Sequence, residues 1–370
     1  MLRTQEWQGT HRCRMFEGCS RKALVLLMSL LCGLPSPFYD ETLTSWLYRI
    51  SLKHRIVVRE RELLLARPRA AWGGVNVVDE DLDFDFSTNY FKENTTSLKL
   101  NTQLTKCFFR SKNIALVNPG RRTHFCSICL REDVAKGQMP GWRRSWCARD
   151  AVLCPFHGVD LSDLRTNATF RKSWDAYVQS VQPNIALDPW QSMSFQRLRR
   201  NLIHRVQLWR KRQNKRTCKL FDNLYDLFLL APTYNHEAGV ARLLFGRKPA
   251  KKYSQIVTFE GAVLYGAELS DVRARFGSQM LAAYVLGGVQ EKEILQLRAS
   301  CMAHHIVFPK AKEIIPMIHF GCATPAEYEF LHSYLGKFPR KRGSKLDCLF
   351  TRFEKNIGSR IFYSQLRFGR

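Results

Sequence analysis

Cys126 and Cys129 are separated by two residues, and so are Cys154 and His157, which follow after a spacer of 24 residues. A C-x2-C turn brings two thiolates to one side of the backbone, and C-x2-H does the same with a thiolate and an imidazole. Together the two half-sites complete a four-ligand shell of the kind that structural zinc takes. A closed shell leaves no position for water, so one Zn2+ ion bound here would be structural, not catalytic. By analogy with zinc-finger peptides, its binding would supply about 10 kcal/mol or more of folding free energy. A lone C-x2-C can instead be a redox pair. That role calls for a strand-to-helix junction in an α/β pattern, which the sequence does not display. Cys147 and His124 lie close enough to substitute as ligands. Cys147 reads better as a small buried hydrophobe, and His124 as a surface group or one behind the ligands.

Three other groups of residues could do chemistry. Asp79, Glu80, Asp81, Asp83 and Asp85 form an acidic run. Carboxylates can hold catalytic metals, but normally from separate strands, so a solvated loop or helix start is the preferred reading. Between the two half-sites, Trp142 and Trp146 are four residues apart and should pack onto the zinc hairpin, leaving Arg143 and Arg144 to project outward toward phosphate or an acidic surface. The third group lies between Gln196 and Phe221, where ten lysines and arginines occur with no acid. Phe195, Leu198, Leu202, Val206 and Trp209 are read as the apolar face of a helix. Arg197, Arg199, Arg200, Arg205, Lys211 and Arg212 are read as its basic face, available to phosphates, a membrane surface or an acidic partner, or simply solvated.

The chain that must position these groups has 370 residues, 45% of them hydrophobic, enough for two or three globular domains. Its formal charge of +26 points to a polyanionic partner, nucleic acid first. The 12 cysteines are scattered apart from the paired cluster, unlike a secreted disulfide framework. The apolar run Ala23–Leu34 after Arg21 and Lys22 imitates a signal peptide but is too short to span a bilayer. Residues 1–34 are therefore expected to be a poorly ordered extension, with the true start at Met28. Leu43, Trp46, Leu47 and Ile50 recur at helical spacing, with Arg49, Lys53, His54 and Arg55 toward the other side. A second helix at Glu60–Leu65 would make a helical hairpin or a helix-turn-helix, and Ala71–Asn76 reads as a loop. Ser270 and Asp271 should cap a helix that Gly277 breaks, and Thr324 and Pro325 should open another. The predicted fold is mainly α and multidomain. An N-terminal helical region is joined to a small zinc-ribbon or knuckle module at 124–158, together spanning 35–165, and a basic helical region follows at 166–370.

The segment Phe125–Leu161 resembles the zinc module of the TniQ/TnsD family. That pattern is met here by Cys126, Cys129, Leu130, Glu132, Asp133, Trp142, Arg143, Trp146, Cys154, Pro155, His157, Gly158 and Leu161. The stretch Pro35–Arg49 looks like the family's opening helix. The resemblance covers a little over a third of the chain. It departs from the usual pattern at Ser127, where proline follows the first cysteine, and in lacking a second cysteine-rich site after His157. It implies a non-catalytic, cytoplasmic, nucleoid-associated target-selection protein with no membrane partner. Such a protein binds DNA or a DNA-bound complex, a CRISPR effector in some relatives, and recruits a AAA+ ATPase transposition regulator. Homodimers are compatible with this picture. The alternative is a zinc-containing, sequence-specific transcription regulator.

Overall fold

The computed structural model describes residues 35–54, 83, 86, 91–92, 96, 102–109, 115–166, 171–182, 190, 192–246, 252–303, 308–318, 324–335, 341–352 and 354–355. The 1–34 extension, the Glu60–Leu65 helix that a helix-turn-helix would need, the Ala71–Asn76 loop and the carboxylates at 79, 80, 81 and 85 lie outside the described residues. The described chain is mainly helical, with one two-stranded antiparallel ladder. It divides into two compact units.

The first unit contains α1 (Leu43–His54), α2 (Thr102–Phe109) and residues 141–144. Leu43, Trp46, Leu47 and Ile50 are all buried, as their spacing predicts. The start of α1 is satisfied from outside the helix: the Asp83 carboxylate accepts from Thr44 N at 2.8 Å and Thr44 Oγ1 at 2.6 Å. Asp83 is thus a buried helix cap and not a solvated acid. Arg49 departs from its expected place near the polar side. It is buried, because Glu41 is fully buried and takes its guanidinium at 2.6 Å. Burial pushes the Glu41 carboxyl up, and Arg49 opposes that shift. Residues 141–144 run antiparallel to 40–42: Thr42 N donates to Trp142 O, and Arg144 N to Asp40 O.

The second unit begins with β1 (His124–Phe125) and α3 (Ser127–Ala135), continues through β2 (Ser162–Asp163) and α4 (Lys172–Val181), and then becomes all-helical. β1 pairs with β2 in the register His124↔Asp163 and Phe125↔Ser162. The helices that follow are α5 (Met193–Lys211), α6 (Lys215–Phe228), α7 (Val240–Phe245), α8 (Phe259–Gly266), α9 (Val272–Val285), α10 (Glu291–Ala303), α11 (Ala311–Met317) and α12 (Pro325–Leu335). The central helix is α9, which packs against α5, α6 and α7 and is buried at every position from Ala274 to Val285. Its interior polar groups are tied to backbone carbonyls: Ser278 Oγ donates to Tyr225 O and Gln279 Nε2 to Asp150 O, both at 2.7 Å.

Two sequence expectations for these helices are decided. Asp271 caps α9 by accepting from Ala274 N at 2.7 Å, but Gly277 does not break the helix. It lets α7 approach, since a Cβ there would lie 2.1 Å from the Phe245 ring. Thr324 caps α12 through Glu327 N, and the Glu327 carboxylate returns to Thr324 N, a capping box. The compact units divide the chain differently from the expected 35–165 and 166–370 regions. Residues 141–144 join α1 through backbone pairing, whereas Asp160 ties the module around Cys154 to Arg199 on α5.

Candidate metal centre and basic helix

Each half-site is formed by its own local structure. Cys126 is the N-cap of α3 in extended conformation, so Cys129 falls in the first helical turn beside it. The partial positive charge of that helix start favours thiolates. Cys154 and His157 lie on a hairpin: Leu153 pairs with Asp160, Cys154 N donates to Val159 O, and Gly158 N to Cys154 O. Gly158 takes φ of +62°, which glycine adopts without a Cβ penalty.

These two turns converge. Cys129 Sγ lies 3.6 Å from Cys154 Sγ and 3.3 Å from His157 Nδ1. The other two sulfurs lie 3.5 Å (Cys126) and 3.6 Å (Cys154) from the same nitrogen. All four donor atoms are within 4.8 Å of one another. Tetrahedral zinc at its usual bond lengths needs S···S of about 3.8 Å and S···N of about 3.6 Å, so the set fits a metal ion. The charges also call for a cation. Hydrogen bonds to Cys126 and Cys129 hold the Cys154 thiol down, with backbone N–H groups of His157 and Phe156 helping. Its bonds to Cys126 and Cys154, with burial, push the Cys129 thiol up. Three sulfurs this close ionise together only around a positive ion. The far side of the imidazole is also held: His157 Nε2 is 3.1 Å from Glu132 Oε1. A carboxylate there fixes the tautomer that leaves Nδ1 free to ligate.

The substitute ligands stand apart from this cluster. Cys147 is fully buried and absent from it. His124 is buried as well, not on the surface, with Nε2 3.0 Å from Asp163 across the β ladder.

The arginines between the half-sites do not take the expected outward position. Arg143 is buried, its guanidinium 4.4 Å from the Phe38 ring centroid and its Nη1 donating to Gly141 O. Arg49 approaches the same ring at 3.7 Å. Arg144 is half-buried, with Nε 3.4 Å from Asp40 and Nη1 donating to Phe108 O. Trp142 is buried with its backbone N–H on Ser45 Oγ, so it is anchored to α1; Trp146 is buried in the second unit.

On α5 the six basic candidates separate. Arg197, Arg200, Arg205, Lys211 and Arg212 are exposed, and Arg205 reaches Glu293 on α10 at 2.6 Å. Arg199 is fully buried: it pairs with Asp160 and lies 4.6 Å from the ring centroids of both Trp190 and Phe195. Burial raises the Asp160 carboxyl, and Arg199 counters it. Sequence reasoning missed this pair, although the signal was present. Phe195, Arg199, Leu202 and Val206 follow one helical stripe, and that stripe is the buried one.

Among the described residues no helix is long and apolar enough to cross a membrane. No curated protein and no solved structure matches the chain. Residues 33–161 match the family model described as TniQ, a span that holds the opening helix, the Trp142–Arg143 block and all four candidate ligands, so over this third of the chain the protein is similar to the TniQ family.

Proposed function

We propose that this protein is a non-catalytic transposition adaptor that holds target DNA or a DNA-bound complex and recruits a AAA+ ATPase regulator. The observation that carries this reading is the TniQ domain at 33–161, which associates the chain with transposition. The ion in Cys126, Cys129, Cys154 and His157 is then zinc, in a structural role. Three thiolates and one imidazole suit zinc better than the hard cations, and four protein ligands close the shell. The charge of +26 supports a DNA partner. Phosphate contact falls to Arg197, Arg200, Lys211 and Arg212, which are exposed on α5, with Arg205 beside them. Arg143, Arg144 and Arg199 serve the fold instead.

Deleting the gene from a host that carries the element should abolish targeted insertion, and the wild-type gene should restore it. Purified protein should retain the element's AAA+ ATPase in a pull-down and leave DNA uncut in magnesium. Normal insertion after deletion, together with altered transcription of a single gene, would support the transcription-regulator reading instead.

A further inference from the structure

The basic face of α5 and the second metal half-site meet at Gly158. A Cβ at Gly158 would lie 3.0 Å from Arg200 Cδ and 3.6 Å from Arg200 Nη1, so the Arg200 side chain rests on the hairpin. Next to it, Arg199 is locked to Asp160 of the same hairpin, which fixes helix and hairpin as one piece. At the tip of that hairpin, between Cys154 and His157, Phe156 is 44% exposed. The solvent-facing stripe of α5 carries Arg197, Arg200, His204 and Lys211 and no acid, and Arg212 follows at its C-cap. Arg197, Arg200 and His204 succeed one another at three- and four-residue steps, about one per 5.4 Å turn, near the spacing of successive phosphates in a strand.

We infer that the hairpin tip and the N-terminal half of α5 form one nucleic-acid-reading surface, on which Phe156 stacks against an unpaired base while Arg200 and Arg197 hold the flanking phosphates. This rests on the proposed DNA-binding role and narrows it to distorted or single-stranded DNA. Charge complementarity selects the polyanion. The aromatic at the tip selects an unstacked base, because a base inside a duplex offers no free face. The metal ligands on either side of Phe156 keep the tip rigid, so little ordering accompanies contact.

Binding of the full-length, metal-loaded chain to three labelled oligonucleotides tests this: a mixed-sequence duplex, the same duplex with one bulged base, and the single strand. Phe156→Ala should weaken binding to the bulged and single-stranded probes about tenfold or more and leave the plain duplex unchanged. Arg200→Glu should weaken all three. 2-Aminopurine at the bulge should be quenched by wild type and not by F156A, and equal metal content in both proteins confirms that the hairpin is intact. Unchanged binding of F156A to every probe, with quenching preserved, overturns the base-stacking surface and leaves the DNA-binding role standing. Failure of wild type to bind any of the three overturns both.

Discussion

Arg199 and Arg200 are neighbours in sequence and face different surroundings, and their substitution should separate structure from binding. Arg199→Glu places a second carboxylate against Asp160 inside the protein. Breaking a buried pair costs about 3 kcal/mol or more, so this variant should melt far below wild type or fail to accumulate. Arg200→Glu should melt like wild type and bind DNA weakly, with a flatter dependence of affinity on salt. Equal melting temperatures would refute the buried assignment of Arg199. At the metal centre, Glu132→Ala should lower metal affinity about 10- to 100-fold in a chelator competition, whereas Cys126→Ser should lose the ion outright. Full retention of metal by Cys126→Ser would mean that the ligand set is wrong. All four of these donors could be named from spacing alone, because two tight turns with soft donors leave few alternatives. Glu132 and Asp160 acquire their roles only when the fold brings distant segments together: Glu132 is 25 positions from His157 and Asp160 is 39 from Arg199.

At the scale of elements, apolar periodicity made α1 and α5 legible, and cap residues marked the starts of α9 and α12. Periodicity did not reveal which charged residues go inside. Glu41, Arg49 and Arg143 are buried together around Phe38, and this cluster joins the opening helix to the Trp142–Arg143 block. The role of Gly277 was also hidden, since a close helix contact and a helix break call for the same residue. Gly277→Ala should destabilise the protein by about 1–3 kcal/mol through overpacking against Phe245, measured by denaturant midpoint. A second element test uses Asp226 on α6, which Arg149 meets at 3.0 Å. Burial pushes its carboxyl up to about 6, with Arg149 pulling the other way. A folded-state pKa above the unfolded value gives stability that is complete below about pH 4. That stability is lost as pH rises through 6. The melting temperature of wild type should therefore fall between pH 4 and 7 relative to Asp226→Asn, and parallel curves would refute this.

Across the whole molecule, part of the strongly basic composition is built into the interior. Arg49, Arg122, Arg143, Arg199 and Arg275 are buried, and Arg275 donates to Ala267 O and Ala148 O. Lys215 and Lys219 at the start of α6 are exposed, as are Arg197, Arg200 and Lys211 on α5. The Cys126, Cys129, Cys154 and His157 cluster belongs to the unit that carries α5, so, on the proposed metal- and DNA-binding roles, a chelator should weaken DNA binding by loosening the piece that presents the α5 cations. The proposed role is to bridge DNA and an ATPase and to leave the DNA uncut. The most direct measurement places duplex DNA on beads with the purified chain and its AAA+ ATPase, each present or omitted. The prediction is that the ATPase stays on the DNA at a salt concentration where it is otherwise washed away, only when the chain is present, and that the DNA remains intact. ATPase retention that is the same with and without the chain, or cleavage of the DNA by the chain, would contradict it.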